Sequence, residues 1–212
     1  MKRLKILSAA IFLMLGLGWY MIATGPPIIS QKIFKYPHWM LRTNYYGMDI
    51  REIGSMDFRC FDAQGNLKWE ELNRPNSLAD EGEYMFLDVA LRAGSAPSNY
   101  YLRLYNATPT DTSNLTSIST LEPGATYGYA AQTVERSTTG WPTLALDSGD
   151  YRATSSTETF TASGGSWGPV TYCVLATSTD SSGKLVSYVA LSTSRTLAAG
   201  ESLQVTYRLK LQ

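Results

Sequence analysis

The chain has 212 residues, and its eighteen basic and eighteen acidic side chains cancel. That balance excludes a protein that binds nucleic acid through a broadly basic surface. Charged residues make up 17% of the chain, below the roughly 25% usual in soluble domains, while 14 tyrosines raise the aromatic share to 12%. A surface of hydroxyls and tyrosine suits a shell, an interface or an exported protein, and the length allows one substantial domain with an appendage.

Lys2, Arg3 and Lys5 precede an apolar run from Ile6 to Ala23. The run is about the minimum length for crossing a bilayer, so residues 6–23 offer a route to a membrane partner. Positive charges before such a run fit a secretory signal or an anchor. Ala23-Thr24-Gly25 carries small residues where signal peptidase reads, but Pro26 would sit directly after the cut and block it. An uncleaved hydrophobic helix over residues 1–25 is therefore expected. A helix buried in a protein assembly, or a translation start at Met40 or Met48, stays open beside it. Residues 26–55 read as an extended arm, because Gly25-Pro26-Pro27 stops a helix. The aromatic residues that follow have little periodicity. His38 is the sole histidine, so a His-based triad or multi-His metal site would have to be built around one residue.

From Gly94 to Gln212 the chain is charge-poor, rich in Ser and Thr, and alternates between apolar and polar, which is the period of a strand with one buried face. Met56–Asp62 and Leu67–Glu71 read as a hairpin around Ala63-Gln64-Gly65-Asn66. Asp62 and Asn66 invite a calcium-loop reading, but the further oxygen ligands and late Glu are missing, which leaves them as turn residues. Ser77 is placed to cap a helix running to about Arg92, with Leu78, Met85, Phe86, Val89 and Ala90 as its apolar face and Gly94 ending it. Glu81, Glu83 and Asp88 then read as a solvated acidic face near a helix N-terminus.

Tyr100–Tyr105 reads as a strand with Leu102 and Leu104 on the buried face, and with Tyr101, Arg103 and Tyr105 on the wet one. Asn106 to Pro123 reads as a polar loop, which holds two glycosylation-type patterns beginning at Asn106 and Asn114. Thr126–Glu135 follows as a strand, and Arg136–Asp150 as a loop with an apolar middle at Leu144-Ala145-Leu146. Thr157–Ala162, Gly168–Thr177, Lys184–Leu191 and Leu203–Leu211 complete about eight strands. Gly164-Gly165-Ser166-Trp167-Gly168 lacks the Lys of a phosphate-binding loop and reads as a bend beside a packed Trp. Cys60 and Cys173 fall on apolar segments and read as buried free thiols, with no metal-ligand spacing.

Many short strands with one helix describe a mainly β protein. The expected fold is an antiparallel sandwich of immunoglobulin-like or jelly-roll type over residues 56–212, preceded by the arm and the hydrophobic helix. The run Phe61-Asp62-Ala63-Gln64-Gly65-Asn66-Leu67-Lys68-Trp69, the Leu87-Asp88 of the helix, Tyr101-Leu102-Arg103-Leu104-Tyr105 and Gly165-Ser166-Trp167-Gly168-Pro169 resemble small virion structural proteins of tailed bacteriophages. The resemblance covers roughly residues 56–212, and the N-terminal apolar segment departs from it. It implies a capsid-decorating, neck or tail-associated protein. It carries no catalytic residue, metal or cofactor over to this chain.

Three functions follow. The first is a phage virion component that contacts other copies of itself and other virion proteins. The second is a membrane-anchored or exported surface or filament subunit, such as an adhesin. The third is a carbohydrate-binding module, if Tyr101, Tyr105, Trp141 and Trp167 share a face and stack on sugars. A glycosidase would further need two carboxylates set across one cleft.

Overall fold

A computed structural model describes residues 52–211. The chain divides into two units, Met1–Asp49 and Ile50–Gln212, and the described residues all belong to the second. The expected hydrophobic helix, the arm up to residue 51 and His38 lie outside them. No described helix is long and apolar enough to cross a membrane.

The expected hairpin forms from β1 (Glu52–Phe61) and β2 (Leu67–Pro75). Its turn is closed by Asp62, whose Oδ1 accepts the backbone N–H groups of Gln64 (2.9 Å) and Asn66 (2.8 Å). The Asp62 carboxylate thus does the local work of an Asx-type turn. Gly65 takes φ of +85° there, a conformation that favours glycine.

Ser77 does not cap a helix. Ser77–Leu78 is a two-residue strand, β3, paired with Tyr188 and Ser187. The pairing holds the backbone extended, so α1 starts later and spans Asp80–Leu91, with Ala79 at its N-cap and no capping side chain. Glu81 is not simply solvated: its carboxylate accepts the backbone N–H of Leu185 at 2.8 Å and pins the first turn to a neighbouring strand. At the other end Ala93 takes the left-handed conformation at φ +56°. Gly94 donates its N–H back to the Asp88 carbonyl at 2.9 Å, which helps to satisfy the end of the helix. Met85 is buried and Phe86 and Val89 pack on the core, whereas Ala90 faces solvent.

The remaining strands are β4 (Asn99–Tyr105), β5 (Gln132–Glu135), β6 (Thr143–Asp147), β7 (Asp150–Thr161), β8 (Trp167–Ala176), β9 (Leu185–Leu197) and β10 (Ser202–Leu211). They form two five-stranded sheets, in the orders β2-β1-β10-β7-β6 and β3-β9-β8-β4-β5, with antiparallel pairing throughout. The main hydrophobic core draws Met56, Phe58, Leu203, Val205 and Tyr207 from the first sheet and Leu102, Leu104, Cys173, Leu175 and Val189 from the second. Both cysteines are free and buried, as their apolar settings imply. Burial also pushes both thiols up from their usual acidity.

Two segments expected as loops are structured. Leu144-Ala145-Leu146 lies in β6, and β6 turns into β7 through Ser148 and Gly149, both at positive φ. That is the backbone of a two-residue hairpin loop. Within the expected polar loop, α2 (Leu115–Ile118) is capped by Asn114, whose Oδ1 accepts the Ser117 N–H at 2.9 Å. Asn114 therefore acts as a helix cap. Conversely, the strand expected over Thr126–Glu135 is confined to β5, because Ala125–Tyr127 makes a 3₁₀ turn ended by Gly128 at φ +80°.

The loop over α2 explains the largest departure from the sequence pattern. Leu115 and Ile118 are buried with Tyr105, Val174, Ala176 and Leu185 in a second cluster. Leu102 and Leu104 face the main core, while Tyr105, with no exposure, faces this second cluster, and Arg103 between them is only 2% exposed. The second sheet is therefore covered on both sides along β4, and the face expected to be wet is closed.

Candidate interaction surface

The four aromatic residues proposed for sugar stacking do not share a face. Tyr105 is fully buried and Trp167 is 4% exposed. Trp141 is half-buried, with its ring edge-on to Tyr100 at 5.9 Å and to Tyr207 at 6.0 Å. Tyr105 belongs to the second cluster, whereas Trp141 and Trp167 belong to the main core. The indole rings are packing elements, and Gly165 bends the chain against the ring of Tyr127 beside Trp167. No group of His, Cys, Asp and Glu among the described residues could hold a metal ion.

The buried charges are held by internal straps. Arg103 on β4 donates to Glu122 through Nε (3.1 Å) and Nη2 (2.5 Å), and through Nη1 to the carbonyls of Ser178 (3.2 Å) and Asp180 (2.8 Å). Tyr129 donates its hydroxyl proton to Glu122 and accepts the Leu104 N–H at 2.9 Å. Burial, and then the Glu122 carboxylate, push the Tyr129 phenol far up, so it stays protonated as a donor. Glu71 on β2 joins the two sheets. It accepts from Arg195 Nη2 (2.9 Å) and from the Ser192 hydroxyl (2.7 Å) and backbone N–H (2.7 Å), all on β9. The Arg195 guanidinium lies 4.2 Å from the centre of the Trp69 ring, within cation–π range. Asp57 accepts from Arg208 (2.6 Å) and from the Asn73 N–H (2.8 Å).

Two of these straps should contribute to the acid limit of the fold. Burial by itself raises the Asp57 and Glu71 carboxyls. Their hydrogen bonds to Arg208 and Asn73, and to Arg195 and Ser192, outweigh it and leave both below the ordinary carboxylate range. Unfolded carboxyls titrate near pH 4, so the unfolded chain takes up these protons first as pH falls. The stabilisation is complete above that value and is lost as the pH drops through the folded-state values beneath it. The melting temperature read by circular dichroism should thus be flat from pH 7 to about pH 5 and fall steeply below about pH 4. Glu71→Gln should melt lower at pH 7 and show a shallower acid limb; an unchanged limb would detach Glu71 from acid unfolding.

Several large apolar side chains are also exposed. Leu144 and Leu146 on β6 are 71% and 64% exposed, and Tyr151 on β7 is 62% exposed. Strand register puts Leu144 beside Ala153 and Leu146 beside Tyr151, and Ala153 beside Leu209 of β10. Leu209 packs on the main core. The strip is therefore the inner face of the first sheet, continuing past the core to the sheet edge. On α1, Tyr84, Leu87 and Leu91 make a second exposed apolar row. Sequence reasoning found neither surface: β6 read as part of a loop, and the helix was credited with a single apolar face.

The described residues thus form an antiparallel two-sheet β unit with internal ionic straps and apolar side chains at a sheet edge. Residues 77–209 match the family model described as Podophage GP4 fiber I protein gp80. The match spans more than half of the chain, and the chain belongs to this family of phage fiber proteins. The resemblance to virion structural proteins of tailed phages is thereby borne out. No curated protein matches the chain.

Proposed function

We propose that this chain is a tail-associated fiber subunit, which acts in the phage particle by holding other protein chains rather than by catalysis. The observation that carries the reading is the fiber-family match over residues 77–209. The exposed apolar strip Leu144, Leu146 and Tyr151 supports it, because contiguous apolar side chains on a soluble unit mark contact surfaces. Tail attachment is favoured over capsid decoration or a neck position because the family is one of fibers. The partners are other virion proteins and further copies of this chain.

Purified particles test the proposal. Mass spectrometry should find the chain in the virion, and immunogold labelling should fall on the tail. Gold confined to the capsid shell, or a particle without the chain, would overturn it.

A further inference from the structure

We propose that β6 is the seam at which two copies of this chain join, the two strands running antiparallel about a two-fold axis at Ala145. The inference rests on the reading above only in taking contact between copies as a mode of action. It starts from the edge itself. The Asp147–Asp150 pair closes the two-residue loop between β6 and β7, and such a closing pair is hydrogen-bonded. By alternation Thr143, Ala145 and Asp147 then direct their N–H and C=O groups at β7, and Leu144 and Leu146 direct theirs outward. The other edge strands are guarded. β2 carries Lys68, Glu70 and Pro75, β5 is four residues with a terminal Glu135, and β3 is two residues long. Charges, proline and shortness are the usual protections of a sheet edge. β6 is five residues long, and over residues 143–146 it carries neither a charge nor a proline.

The occupant follows from the register. Thr143-Leu144-Ala145-Leu146-Asp147 is nearly palindromic in its apolar pattern. Antiparallel pairing about Ala145 sets Leu144 opposite the partner's Leu146, and the reverse, so the outward groups of each Leu find matching groups on the other copy. The same pairing brings both strips onto one face, with Leu144, Leu146 and Tyr151 of each copy forming a continuous apolar surface. Ala145 meets the partner's Ala145 at the narrow, non-hydrogen-bonded position, where a small side chain fits closest approach. On the polar face Asp147 meets the partner's Thr143. Asp147 already pairs with Arg152 (3.0 Å) and Lys210 (3.9 Å), and Asp150 with Lys210 (3.5 Å). No like charges are opposed across the seam, and no second protein sequence is needed to satisfy it.

Ala145→Cys in the purified full-length chain is the direct test. Non-hydrogen-bonded antiparallel partners have Cα atoms about 4.5 Å apart, within disulfide range. With diamide as the two-electron oxidant, two such thiols should form an intermolecular disulfide, and the main band on a non-reducing denaturing gel should move to twice the chain mass. Thr143→Cys is the control. Its two-fold mate is displaced by four residues, about 13 Å along the strand, so it should stay at single-chain mass. Wild type should also stay there, since Cys60 and Cys173 are buried. The double variant Leu144→Lys/Leu146→Lys should halve the sedimenting mass, and its melting temperature should no longer depend on protein concentration. Absence of the cross-link, or equal cross-linking by both Cys variants, overturns the seam. So does a wild type that sediments as a single chain and melts lower with the two lysines, since another segment of the same chain would then cover β6. The position of the chain on the particle does not enter these measurements, so the tail assignment stands or falls separately.

Discussion

Arg103→Met should unfold at a markedly lower urea concentration than wild type, with a loss of about 3 kcal/mol and an unchanged dependence on denaturant. Arg103 is 2% exposed and its guanidinium serves three partners: the Glu122 carboxylate and the carbonyls of Ser178 and Asp180. Removing it leaves Glu122, at 16% side-chain exposure, with its Tyr129 hydrogen bond but no countercharge. Breaking a buried pair from one side costs about 3–5 kcal/mol, and the residual exposure of Glu122 places this case at the lower end. Arg103→Lys should recover little, because one ammonium cannot reproduce a planar fork spread over three acceptor groups. The double change Arg103→Met/Glu122→Met should recover much of the loss, since it removes the stranded charge as well. An Arg103→Met protein as stable as wild type in urea would show that the pair contributes nothing to holding the segment around Glu122 onto the second sheet.

The same residue shows where sequence reading reached its limit. Alternation located nearly every strand of the core; along β10, for example, Leu203, Val205 and Tyr207 are buried while Gln204 and Thr206 between them are not. It failed along β4, where Arg103 and Tyr105 looked wet. Their cover comes from Leu115 and Ile118, which lie in a Ser/Thr-rich stretch with no strand period. A polar loop that contributes two apolar anchors carries too weak a periodic signal to announce a second core. Ser77 failed for a related reason. Its local chemistry favours a cap, but pairing with Tyr188 on β9 fixes the backbone as strand, a contact more than a hundred residues away in sequence. The apolar strip on β6 was legible as composition but not as surface, since exposure depends on where the opposite sheet ends. The class of protein was read from motifs between residues 61 and 169, and the family match, which covers residues 77–209, agrees with that class.

Gly82→Ala tests how α1 is seated, and the expected result opposes helix propensity. Alanine is favoured over glycine by about 1 kcal/mol within a helix, so an exposed position would gain stability. Gly82 is buried where α1 crosses β9. A Cβ there would stand 2.2 Å from the Val186 carbonyl oxygen and 2.9 Å from the Val186 Cα. Both atoms are backbone of a central strand, so they cannot yield as a side chain would. The helix must lift instead, and lifting strains three neighbouring contacts. The Ala79 N–H bonds the same Val186 carbonyl at 2.9 Å. Glu81 holds the Leu185 N–H. Met85 packs into the core one turn further along. Overpacking costs about 1–3 kcal/mol, and each weakened hydrogen bond adds about 1 kcal/mol, so a net loss of about 2–3 kcal/mol is expected after the propensity gain. Gly124→Ala is the matched control: nothing lies within 4 Å of its Cβ position, so thermal or urea unfolding should register almost no change. Equal stability of the two variants would mean that α1 is not seated on β9 at this distance. A selective loss in Gly82→Ala would identify the missing side chain as what lets the helix dock against the sheet, leaving Tyr84, Leu87 and Leu91 on its outer side.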